Sequence, residues 1–166
     1  MATIEAALTR FRDHPTSPEE SSSNPFKLSS TVHGPATPAE IEQAWPEAGL
    51  PEQLVEAWTT AREARLFEDV DYGQWGLVLL APAASAGRTA KERGTRPADF
   101  KPGDIVIGEF LGDQELLVLT RGGRVLVALP LDGRSDWYVA ADDLGQFLDA
   151  YWRHGGDKFW EPRAVS

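Results

Sequence analysis

The chain contains no cysteine, which excludes disulfides, thiolate nucleophiles and thiolate metal sites together. Histidine is nearly as scarce, with only His14, His33 and His154. The first two fall in a segment of linker composition. The third closes the last predicted helix, where an imidazole favours the helix dipole. No apolar run approaches the roughly 18 residues of a membrane span, and the N-terminus lacks the basic start and apolar block of a secretory signal. A cytoplasmic protein is the expectation. A Gly-x-Ser-x-Gly elbow, a dinucleotide fingerprint and a His-Glu-x-x-His helix are also missing. Gly87-Arg88-Thr89-Ala90-Lys91 lacks the spacing of a phosphate-binding loop. The sequence therefore offers no catalytic, cofactor or metal residues.

Positive charge is in short supply as well. The 166 residues carry a formal net charge of −10. Carboxylates dominate residues 40–71 and 104–149, whereas residues 72–103 are mildly basic. Such a surface repels a phosphate backbone, so nucleic acid is not an expected partner. A basic protein would be steered toward it, because complementary potentials raise association rates.

What the chain does have is a run of alternating and β-branched apolar segments in residues 104–129, separated by Gly112-Asp113 and Gly122-Gly123. Glycine supplies the positive φ that tight hairpins need, and the pattern predicts antiparallel strands over 104–110, 115–120 and 124–129. Leu144, Phe147, Leu148 and Tyr151 follow at i, i+3, i+4 and i+7. This one-sided stripe predicts a helix over 141–154 lying on the sheet. The expected fold class is α+β, an antiparallel meander packed by helices. The strands read apolar on both sides, with Val125, Val127 and Leu129 alternating with Leu126 and Ala128. Either both faces are covered or one is a binding surface.

Upstream, Ile4, Leu8 and Phe11 mark one side of a short helix over 2–12. Prolines 15, 18, 25, 35 and 38 and the serines at 21–23 give the following stretch the composition of a linker. Residues 1–36 are thus expected to be an N-terminal segment and Ser/Pro-rich linker, of which residues 15–36 are dispensable for folding, and residues 37–166 the domain. Thr37-Pro38-Ala39-Glu40 reads as N-cap, first-turn proline and capping-box acid. The helix it opens is ended by Pro46. A second helix starts after Leu50-Pro51 and carries Leu54, Val55 and Trp58. A turn at Tyr72-Gly73 leads into a strand over 75–80, and residues 81–97 suit a loop or a weak helix.

Among the carboxylates, Asp142 and Asp143 suit the first turn of the closing helix. Asp113 and Asp132 flank turn glycines and suit local backbone bonds. Glu68, Asp69 and Asp71 are near enough in sequence for a divalent cation, but without EF-hand spacing. Trp137 and Tyr138 would point to opposite faces of an extended chain, and aromatics ringed by acids make effective interface anchors. The candidate partner-binding set is therefore Asp113, Glu115, Asp132, Asp136, Trp137 and Tyr138, the carboxylates meeting basic groups and one ring filling a pocket.

Five segments, taken together, resemble the SUKH superfamily, the Smi/Knr-like domains. They are the Leu50-Pro51 helix with Leu54 and Trp58, the strand Trp75-Gly76-Leu77-Val78-Leu79, the hairpin segment Ile107-Gly108-Glu109-Phe110-Leu111-Gly112-Asp113, the strand Gly123-Arg124-Val125, and the helix Leu144-Gly145-Gln146-Phe147-Leu148. The similarity covers residues 37–152. It implies an α+β fold without catalytic residues and, for bacterial members, an immunity protein that neutralises a toxin, often a nuclease. Fungal members imply instead a regulatory scaffold. A carboxylate-dependent hydrolase is a third reading, which two carboxylates converging in a closed cleft would favour. Members with an Asn-Gly-Gly-like turn after the second helix differ from this chain, whose residues 59–67 predict a longer helix there.

Overall fold

The computed structural model describes residues 3–16, 26–47 and 49–161. Seven strands form one sheet in strict chain order, each antiparallel to the next. They are β1 (Leu28–Val32), β2 (Ala64–Asp69), β3 (Leu77–Leu79), β4 (Ile105–Phe110), β5 (Leu116–Leu119), β6 (Val125–Ala128) and β7 (Tyr138–Ala141). The helices are α1 (Ile4–Asp13), α2 (Pro38–Ala44), α3 (Glu52–Thr60), α4 (Pro82–Thr95) and α5 (Leu144–Arg153). The fold class is α+β, as the sequence predicts.

Local chemistry accounts for the element boundaries. Thr37 Oγ1 accepts the Glu40 N–H at 3.1 Å and opens α2, and Asp143 Oδ1 accepts the Gln146 N–H at 2.7 Å and opens α5, each satisfying a donor that the first helical turn leaves free. Gly112 and Gly123 take φ values of +96° and +92° in the β4–β5 and β5–β6 turns. At Gly112 a side chain is also excluded by space, since a Cβ there would collide with the Gln74 carbonyl oxygen.

Both faces of the central strands are covered. β5 and β6 are buried at every residue, so the alternative of an open apolar face is removed. Leu117, Leu119, Val125 and Val127 face the main core, built with Leu8 and Phe11 of α1, Leu54 and Trp58 of α3, and Phe147, Leu148 and Tyr151 of α5. Val106, Leu116, Val118 and Leu126 face a second, smaller cluster closed by Leu80, Phe100 and Trp137. Four indoles reach a main-chain carbonyl, among them Trp58 to Leu80 at 2.9 Å and Trp75 to Gly156 at 3.0 Å. Those four rings are packed with their N–H groups paired, whereas the Nε1 groups of Trp152 and Trp160 are buried without a partner among the described residues.

Two expectations are corrected. First, the N-terminal segment belongs to the domain: Ile4, Ala7, Leu8 and Phe11 are buried in the main core, and β1 pairs with β2 at the sheet edge. The amphipathic stripe of α1 has a place to go that linker composition downstream concealed; the serines at 21–23 lie outside the described residues. Second, the helix after Pro51 ends at Thr60 instead of running longer. Ala61 and Ala64 are buried and the chain enters β2, a strand broken by a bulge where Phe67 takes φ +49° and donates to Ser30 Oγ at 2.9 Å. Of the two alternatives for residues 81–97, a loop or a weak helix, the structure has the helix, α4. Pro82 begins it, and Ser85 and Thr89 on one side bond the edge of β4.

Candidate functional site

In an antiparallel meander, alternate connections lie at the same end of the sheet. The β2–β3, β4–β5 and β6–β7 connections therefore share one end. Most of the predicted site residues lie on it.

The β2–β3 turn is built on Asp69, which is buried and accepts the N–H groups of Asp71, Tyr72 and Gln74 at 3.1, 3.1 and 3.2 Å. That carboxylate is engaged by backbone donors, and Glu68 is paired with Arg65 at 2.7 Å. The cation site considered for this stretch is thus not assembled. Among the described residues, no group of three or more His, Asp or Glu is placed to hold a metal ion. The turn instead pushes Val70 and Tyr72 outward, Tyr72 being 73% exposed.

The β4–β5 turn brings Asp113 and Glu115 together, with Lys158 between them. Lys158 Nζ donates to Glu115 Oε1 at 2.9 Å and pairs with Asp113, lying over the rings of Trp75 and Phe110. Here two carboxylates converge, but on an ammonium group of the same chain. Burial pushes the Glu115 carboxyl up to about 7, and the nearby charge of Glu161 acts in the same direction. Burial lowers Lys158, with Glu161 partly opposing it. Both shifts say that this pair is largely withdrawn from water. Asp113 and Glu115 accordingly hold the C-terminal segment down more than they face outward.

The β6–β7 connection carries the other four. Trp137 is turned inward at 7% exposure. Its ring meets Phe100 edge-on at 5.1 Å, Nε1 donates to Asp132 O at 3.1 Å, and the guanidinium groups of Arg96 and Arg134 lie 5.4 and 5.6 Å from its ring centroid. It is a core residue rather than an interface anchor, because the second face of the sheet needs a cover. Tyr138 points the opposite way, half-buried against the main core, so the alternation predicted for the pair holds. Asp132 and Asp136 are exposed, and neither carboxylate has a cationic partner among the described residues. Between Pro130 and Asp132 stands Leu131, 94% exposed, which sequence reading overlooked. Its only signal was an apolar residue flanked by Pro130 and Asp132-Gly133.

A cleft of about 540 Å³ separates α4 from the β4–β5 turn. Its charges are largely matched, Arg88 with Glu109 at 3.0 Å and Arg96 with Asp99 at 3.2 Å. The arrangement at this sheet end is therefore one of unmatched carboxylates beside exposed apolar side chains.

No family model matches the sequence, and no curated protein is significantly similar to it. No helix among the described residues is long and apolar enough to cross a membrane.

Proposed function

We propose that this chain is a cytoplasmic protein-binding domain of the immunity type its sequence resembles, and that its acidic sheet end neutralises a basic protein toxin. One observation carries the reading: Asp132 and Asp136 stand unpaired on either side of a short turn while Leu131 and Tyr72 project from the same sheet end. Unmatched carboxylates cost nothing in water and gain when a basic surface approaches; exposed apolar side chains supply the contact that excludes water.

The dimensions suit a protein partner. Neighbouring strands lie about 4.8 Å apart, so the β2–β3 and β6–β7 connections are separated by roughly 19 Å. A standard interface of about 800 Å² per partner spans that distance. Inhibition is then steric and electrostatic, the acidic end covering a basic groove such as a nuclease uses for its own substrate. The anchors are Leu131 and Tyr72 in place of Trp137.

The test is capture from the native host on the immobilised full chain, beside a variant carrying Asp132→Lys, Asp136→Lys and Tyr72→Ala. The reading predicts one basic protein retained by the parent and lost by the variant. Equal recovery on both would place the contact elsewhere on the molecule.

A further inference from the structure

At the opposite end of the sheet lies a groove of about 390 Å³ whose lining includes Trp45, Leu50, Pro51, Ile105, Arg93 and Arg121. Its floor is apolar and its rim is cationic. That combination is out of keeping with the rest of the molecule. In a chain with 26 carboxylates and 16 Lys and Arg, nearly every guanidinium finds an acid. Among the described residues every arginine reaches a carboxylate oxygen except Arg93, Arg121 and Arg124. Two of those three line this groove, and the one carboxylate along it is the exposed Glu47.

Neither arginine is neutralised by a carboxylate among the described residues, and Arg93 is also tied to the main chain. Arg93 donates through Nη2 to the carbonyl oxygen of Asp104 at 2.9 Å, and the Asp104 carboxylate is itself paired with Arg134. Arg121 lies over Gly103, where an added Cβ would come within 2.9 Å of the Arg121 Cβ. The β5–β6 turn that carries Arg121 is tied internally, Arg124 N–H to Thr120 Oγ1 at 3.1 Å, and to α3, Gln53 Nε2 to Gly123 O at 3.0 Å. A donor already tied in position recognises a carboxylate at less entropic cost than a free side chain does, and Arg93 is such a donor; Arg121, its stem on Gly103, adds charge at the rim.

We propose that this groove binds a short acidic peptide segment in which a large apolar residue adjoins a carboxylate, the apolar side chain lying against Trp45, Leu50 and Ile105 and the carboxylate meeting Arg93 and Arg121. A cavity of this size holds roughly the bulk of two or three side chains, which is what such a segment presents. The site is independent of the acidic end, and opposite in the sign of charge it accepts.

The probe is an amidated peptide of sequence Gly-Leu-Phe-Asp-Asp-Gly carrying an N-terminal coumarin, titrated with the full chain and followed by fluorescence anisotropy. Saturable binding is expected. Arg121→Glu should weaken it by about tenfold or more, while Arg124→Glu, in the same turn but outside the groove, should change it by less than about twofold. Arg93→Gln should weaken it as well. Replacing the two aspartates of the probe by asparagine, or its Leu-Phe by Gly-Ser, should each remove most of the binding. Absence of saturation would overturn the proposal. So would equal losses from Arg121→Glu and Arg124→Glu, which would mean attraction by net charge alone, or undiminished binding of the asparagine probe.

Discussion

Thr89 Oγ1 accepts the main-chain N–H of Val106 at 2.9 Å, in the interior of the protein. One turn earlier, Ser85 Oγ donates to the Val106 carbonyl at 2.6 Å. Strand β3 ends at Leu79, and beyond it α4 supplies to β4 the donor and acceptor that another strand would have supplied. A buried peptide group left unpaired costs about 1–3 kcal/mol. Thr89→Val, which keeps the shape and removes the acceptor, should therefore lower stability by about that amount in urea denaturation. An unchanged midpoint would show that Val106 finds another partner.

Phe11 is fully buried, its ring edge-on to Phe67 at 5.4 Å and near Tyr151 at 6.5 Å. Phe11→Ala should cost about 3–5 kcal/mol, the range for truncating a buried ring. Phe147, stacked on Tyr151 at 5.6 Å, should show a loss of the same size. Deleting residues 1–16 should leave a chain with its main core open, detectable as a lost cooperative unfolding transition. A truncated chain as stable as the parent would mean that α1 contributes nothing to the core it touches.

Glu115 gives stability a pH dependence of defined sign. Its folded-state value, pushed up to about 7 from 4.5 chiefly by burial and then by Glu161, means that the folded protein binds this proton more tightly than the unfolded chain does. The stabilisation is fully present below about pH 4.5 and is lost as pH rises through about 7. Thermal unfolding of the parent and of Glu115→Gln between pH 4.5 and 8 isolates the effect from the overall charge. The variant should have the flatter profile across that window. Parallel profiles would mean that Glu115 titrates alike in both states.

The elements that follow one periodicity were readable before any coordinates. The 3.6-residue stripe of α5, the Thr37 cap and the hairpin glycines 112 and 123 each state their structure locally, since one face or one φ value decides them. The segments that depend on distant partners were not. Residues 64–69 are a strand because β1 and β3 flank them, and α1 is part of the domain because the sheet leaves a surface for Leu8 and Phe11. The same limit applied to the site. Sequence placed Asp132 at a turn, but could not show that Lys158, 45 residues from Asp113, occupies the space between Asp113 and Glu115. Nor could it show that Phe100 and Arg96 enclose Trp137, because those contacts join loops remote in the chain.

The most direct measurement of the central claim is the association rate between the full chain and the basic protein it captures, taken by stopped flow across ionic strength. If Asp132 and Asp136 steer the encounter, the parent rate falls as salt shortens the screening length toward 8 Å, and Asp132→Lys with Asp136→Lys lowers the low-salt rate by about tenfold or more. Equal rates and equal salt slopes for parent and double variant would contradict the assignment of the acidic sheet end as the binding surface.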